Sequence, residues 1–292
     1  MSVQRKAGRL GWQNWPNRTL CLKGVILLFF YVMRSIGLCF LLVFMIIASA
    51  CTADKPANPV PKEPVTKNAG GSKAVLIELF TSEGCGNCPP ADKQLAFLET
   101  QQPVPGADVI TLGYHVDYFN DRGWKDEYSS ADHTKRQQLY SMRMNLDTIY
   151  TPQMIVDGRS QFIGSDPAKA GDAILKAAKS DKGEVVATRS GRSAQIKVTG
   201  LGQHNVATAV LVSAEDGLVS KVKAGNNIGK TLSHSSVVRK VQGFGKVPEK
   251  AAEFTATVEL PTDPAWKTEN TRYVVYVQED MSGRIIAVGR VK

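Results

Sequence analysis

Cysteine is scarce in this chain, and acidic residues are missing altogether from its first fifty positions. Five cysteines occur in 292 residues, and beyond residue 51 only Cys85 and Cys88 remain. One closely spaced pair excludes a disulfide-stapled scaffold, so the pair is either functional or a small local brace. Residues 1–50 carry Arg5, Lys6, Arg9, Arg18, Lys23 and Arg34. Without these six the formal net charge falls from +9 to +3, with 30 basic residues against 27 acidic. The body is nearly neutral, and its charge gives no ground for a nucleic-acid partner. No repeat period stands out.

The basic start has an organisation of its own. Met33-Arg34 opens a unit that continues with the apolar run 36–47 and ends in Ala48-Ser49-Ala50-Cys51. About 12 apolar residues are few for a membrane span and suit a signal-peptide core. Ala-Ser-Ala-Cys looks like a lipobox, in which small residues admit the signal peptidase and Cys51 becomes lipidated. Residues 1–50 are therefore expected to be a leader whose true start is Met33. An ordinary cleaved signal and an uncleaved span are the alternatives, and all three export the body. Thr52, where many inner-membrane lipoproteins carry aspartate, points to the outer membrane and its periplasmic face. Residues 51–72, with Pro56, Pro59, Pro61 and Pro64, read as a semi-extended linker.

The body divides by texture near residue 182. Residues 74–80 (AVLIELF) and 107–118 read as buried strands. Residues 129–145 read as a helix capped by Ser129 or Ser130. Two short strands, 153–156 and 161–164, flank Asp157-Gly158, a hairpin signal. Ser165-Asp166-Pro167 then starts a helix through Ala170, Ile174, Leu175 and Ala178. Beyond residue 183 the segments 185–188, 195–198, 207–213, 254–260, 272–278 and 284–291 are short and mostly alternating, which reads as a β-sandwich. The expected architecture is an α/β domain over 73–182 followed by an all-β sandwich-like domain over 183–292.

The chemistry concentrates in LFTSEGCGNCPPAD, residues 79–92. A Cys-x-x-Cys between a strand and a helix sets Cys85 against the helix's unpaired N–H groups and positive end. There a thiolate is favoured. Cys88 lies about one turn on, placed to close a disulfide or resolve a mixed one. The element order and this motif resemble the thioredoxin-like superfamily over 73–181. Thr151-Pro152 matches the cis-proline that lies beside the disulfide there. More narrowly, FTSEGCGNCPPAD, HVDYF, GWKD, YTPQMIVDGR and GNNIGKTLSHSSVVR resemble an uncharacterised secreted family, a domain of unknown function with a thioredoxin-like core. The departures are Gly84 where thioredoxins carry Trp, and Gly-Asn between the cysteines.

The resemblance implies thiol–disulfide exchange on protein substrates. Cys85 would be the nucleophile, open to another protein, and Cys88 the resolving thiol. Thr151 and Pro152 would hold the substrate backbone, and Glu78 would accept the proton of the second cysteine unless alternation turns it to solvent. The redox-active disulfide is then the only cofactor, and a partner must recycle it. A copper metallochaperone is the rival reading, with Cys85, Cys88 and His115 as ligands. A non-catalytic envelope binding protein that keeps the disulfide as a brace is another. Asp117, Trp124 and Asp126 read as loop packing, and His133 as a solvated helix residue. Asn226, Asn227, His234 and Arg239 read as ordinary turn chemistry in a Gly-rich loop.

Overall fold

The computed structural model describes residues 72–292; the leader, the lipobox Cys51 and most of the linker lie outside them. The first part holds β1 (Lys73–Thr81), α1 (Pro89–Gln101), β2 (Ala107–His115), α2 (Ala131–Arg143), β3 (Gln153–Val156), β4 (Ser160–Ile163) and α3 (Pro167–Ala178). In β1 and β2 nearly every residue is buried, as in strands covered on both faces. Ser130 caps α2 by accepting from the Asp132 amide, and Asp166 caps α3 from Lys169. Asp157 and Gly158 both take positive φ, which allows the tight turn between β3 and β4.

The second part runs through β5 (Gly183–Ser190), β6 (Ser193–Thr199), β7 (Ala207–Glu215), β8 (Leu218–Lys221) and β9 (Thr231–His234). It continues with β10 (Val237–Val247), β11 (Glu253–Glu259), β12 (Thr271–Glu279) and β13 (Ile285–Arg290). The expected α/β thioredoxin-like domain with a separate β-sandwich is corrected here. Among the described residues, eleven strands form one mixed sheet in the order β11-β6-β5-β13-β12-β7-β10-β2-β1-β3-β4, with three α-helices. The hinge of that correction is β10, for which no strand is expected from sequence. It pairs with β7 along its length and meets β2 in parallel at Val237 and Gly113. One sheet therefore crosses the position at which two domains were expected.

The cores repeat the lesson. α1 and α3 bury Ala91, Leu95, Leu98, Ala170 and Ile174 against Ile77 and Leu79 on one face of β1. Leu76, Phe80 and Tyr114, on the other face, share a cluster with Val212, Val238, Val274 and Tyr276. Each such side chain contributes about 1.5–3 kcal/mol when withdrawn from water, so separating the parts would expose a large apolar surface. Ion pairs reinforce the contact: Arg272 and Arg290 both reach Glu99, at 2.6 and 2.9 Å.

The β3–β4 turn docks on the β12–β13 turn, where Ile285 donates to the Asp157 carbonyl at 3.0 Å. A Cβ on Gly158 would lie 1.9 Å from the Gly283 oxygen, and φ there is +65°. Gly158→Ala is expected to remove about 3 kcal/mol of stability through this clash and the left-handed backbone. Urea unfolding should give one transition that moves to lower denaturant. Two transitions in the unmodified body, or an unmoved midpoint in the variant, contradict the single-sheet account.

Candidate functional site

β1 ends at Thr81 and the chain turns sharply into α1. Gly84 donates to Ser82 Oγ at 3.1 Å, Cys85 to the Ser82 carbonyl at 3.1 Å, and Cys88 to the Cys85 carbonyl at 3.2 Å. Cys85 and Cys88 are joined as a disulfide. Gly84 has a local reason: a Cβ there would stand 3.0 Å from Phe119 Cβ, so the loop after β2 occupies the space of a larger side chain.

Two expectations about the cysteines change. Cys88, not Cys85, is the N-cap of α1. Pro89 and Pro90 have no N–H to offer, and the amides of Ala91 and Asp92 are both spent on the Cys88 carbonyl. Any preference for a thiolate therefore comes from the helix dipole rather than from free amides of the first turn. Cys85, expected to be open to a partner, is only 3 % exposed. Gly86 and Asn87 between the cysteines are the exposed part of the motif.

The Thr151-Pro152 peptide is cis. It shares with the cysteine loop an open groove of about 370 Å³ lined by Gly86, Asn87, Pro90, Tyr150, Thr151 and Pro152, with Ile163 and Ser165 at its side. The sequence-predicted Thr151 and Pro152 thus face Gly86 and Asn87, the residues between the cysteines, across one groove, while Cys85 and Cys88 lie buried outside its lining. Glu78 does not join them. It is buried on the face of β1 away from α1, where Arg136 Nε donates to it at 2.6 Å and the Tyr140 hydroxyl also bonds it.

Behind the cysteines lies a buried polar network. The Glu83 amide donates to Asp126 Oδ2 at 2.9 Å, and Trp124 Nε1 donates to Glu83 Oε2 at 2.7 Å. His234 Nε2 meets Glu83 Oε1 at 2.9 Å, and His115 Nδ1 meets Asp126 Oδ2 at 2.7 Å. The two imidazoles lie edge to face with centroids 4.9 Å apart. Asp92, in the first turn of α1, accepts from Thr81 Oγ1 at 2.8 Å, and burial raises its carboxyl above the ordinary range. His133 is not solvated as expected: it is buried, Nδ1 lies 2.9 Å from the His115 carbonyl, and desolvation pushes its pKa down to about 4. Asp117 does what loop packing requires, taking Thr134 Oγ1 at 2.5 Å. Arg239 sits over Tyr128 and Trp266.

With that geometry established, resemblance to known proteins becomes specific. The family described as "Protein of unknown function (DUF1223)" matches residues 76–278. The chain belongs to this family. No curated protein matches it. A protein from Agrobacterium tumefaciens of known crystal structure is 28% identical, with a TM-score of 0.60 over 74% of this chain and 93% of that one. HBP35 of Porphyromonas gingivalis is 16% identical, with a TM-score of 0.58 over 75% of each chain, a likeness of fold alone.

For this DUF1223 chain, sequence reasoning missed the use of Asn227, His234, Glu83 and Trp124. Asn227 is fully buried, and its Nδ2 donates to the carbonyls of Glu83 and Cys85 at 2.8 and 2.9 Å. The only signal was the Gly-rich GNNIGKTLSH stretch, which says "turn" without saying against what. Among the described residues, no three His, Cys, Asp or Glu side chains converge to hold a metal ion. The ring nitrogen Nδ1 of His115, the third ligand in the copper reading, is engaged with Asp126.

Burial opposes charge on His115, but Asp126, with Asp92 and Glu83 farther off, holds its imidazole above the ordinary 6.5. Burial likewise opposes charge on Asp126, yet His115 and the amides of Glu83 and Tyr128 hold its carboxyl below 3.8. His115 therefore stabilises the fold fully below pH 6.5 and loses that contribution as pH rises through its folded value. Asp126 contributes above pH 3.8 and loses its share as pH falls through its own lowered value. Between pH 6 and 9 this loss opposes the gain from His133, whose folded pKa of about 4 favours folding as the unfolded imidazole deprotonates. The melting temperature of His115→Gln should therefore fall less, or rise more, than that of the unmodified chain. Equal slopes in both proteins would mean that His115 is not charged in the folded state.

Proposed function

We propose that this chain exchanges disulfides with protein thiols through Cys85 and Cys88. The observation that carries the reading is the joined cysteine pair beside a groove that contains a cis-proline and the exposed residues Gly86 and Asn87.

A substrate thiolate attacks Cys85 Sγ, the Cys85–Cys88 bond breaks, and its electron pair leaves on Cys88 sulfur. A second substrate thiol then attacks its own sulfur in the mixed disulfide and releases Cys85 as a thiolate. Two electrons and two protons pass from substrate to the cysteine pair, and a recycling partner of disulfide or dithiol type removes or supplies them. The reverse sequence reduces a substrate disulfide. Tyr150, Thr151 and Pro152 line the surface along which the substrate backbone would lie. Asp92, one helical turn beyond Cys88 with a carboxyl raised by burial, is better situated than Glu78 to hold the proton of the resolving thiol. We also infer that the body works outside the cytoplasm, tethered to a membrane through Cys51.

One observation favours a second reading, a structural brace in a non-catalytic binding protein: Cys85 is nearly inaccessible in the oxidised chain. The test separates the two. In the native envelope, Cys88→Ala should accumulate reductant-sensitive adducts on Cys85, and these should vanish in the Cys85→Ala, Cys88→Ala double variant. A folded Cys88→Ala protein that stays monomeric and free of adducts would leave the brace.

A further inference from the structure

Among the described residues, β8 and β9 pair only with each other, outside the eleven-stranded sheet. Their connection carries a short turn, Gly225–Asn227, bracketed by Gly225 and Gly229, both at positive φ. The flanks of the loop are anchored, with Val222 and Leu232 buried where the strands lead into it. The turn is held differently. Asn227 Nδ2 donates to the carbonyls of Glu83 and Cys85, and Lys230 Nζ donates to Asn227 Oδ1 at 2.9 Å. Asn226 stands next to Gly86, where an added Cβ would be 3.4 Å from Asn226 Cβ. Gly225 lies against Trp124 and the Arg122 carbonyl. Outward, the turn is followed by Ile228, 65 % exposed. The turn therefore meets the cysteine loop through the two bonds of the Asn227 amide and the packing of Asn226 beside Gly86, while glycine at positions 225 and 229 gives the backbone freedom to swing.

We propose that the Gly225–Asn227 turn is a gate over the disulfide, latched by the Asn227 amide on the carbonyls of Glu83 and Cys85, and that Cys85 becomes reachable only when the latch lets go. The assignment explains how a chain can carry an exchange pair whose leading sulfur is buried at rest. It concerns the same site and takes Cys85 as the reacting sulfur, as in the exchange reading. Two neutral hydrogen bonds hold the latch, so removing both should raise the open population about tenfold or more.

The test is the rate at which excess dithiothreitol reduces the disulfide in the folded full chain, followed by alkylation and mass measurement. This readout needs no protein substrate, so it fails or succeeds independently of mixed-disulfide trapping. Asn227→Ala should be reduced about tenfold faster than the unmodified chain. Gly158→Ala, which weakens the fold far from the turn, should be reduced at the unmodified rate. An Asn227→Ala rate equal to the unmodified one overturns the gate, and so does an equal acceleration in Gly158→Ala. Should Asn227→Ala not fold, Lys230→Ala decides: a severalfold faster reduction supports the latch, and an unchanged rate overturns it.

Discussion

The carboxylate of Glu83 is buried at 1 % exposure and lies between Trp124 Nε1 and His234 Nε2, while its backbone amide reaches Asp126 and its carbonyl reaches Asn227. A charge so far from water is costly unless every bonding position is met. Meeting them requires the cysteine loop, the segment after β2 and the β8–β9 hairpin to be in place together. Glu83 thus makes the conformation of the cysteine loop conditional on residues more than 140 positions later in the chain. His234 binds the side chain of that residue and Asn227 its backbone, so the late hairpin is part of the site.

The sheet makes this arrangement possible. Because β10 follows β9 directly and docks beside β2, the end of the hairpin is delivered to the carboxyl ends of β1 and β2. In open sheets with parallel strands the loops at those ends are where ligands gather. Here they supply the cysteine motif after β1 and the aromatic, charged segment after β2. The cis-proline comes from the loop entering β3. A sandwich folding by itself would have left the cysteine loop without Asn227 and His234.

Much of this was legible locally. The Ser130 and Asp166 caps, the Asp157-Gly158 turn and strand 153–156 follow from residues within a few positions of one another, and they stand where the sequence puts them. β10 was not legible for a physical reason. Its ladder shifts register between Val238 and Lys240 and again between Gly243 and Gly245, so the alternation that marks a strand is broken twice. Without β10 the two parts look like separate domains. At the site, Cys85, Cys88 and Pro152 announce themselves by motif. Burial of Cys85 and the purpose of Asn227 do not, because both depend on contacts across the whole chain. Glu78 illustrates the limit of alternation: it tells that a side chain points to one face, but not that Arg136 and Tyr140 wait there.

Whether the cysteine pair is chemistry or scaffolding is decided most directly by its reduction potential, measured on the folded body by equilibration with glutathione or dithiothreitol buffers. Exchange requires a pair that opens and closes within the folded chain at a potential above about −300 mV, the region below which structural disulfides of secreted proteins lie. A pair that stays oxidised below that value, and opens only when the sheet unfolds, would contradict the exchange account.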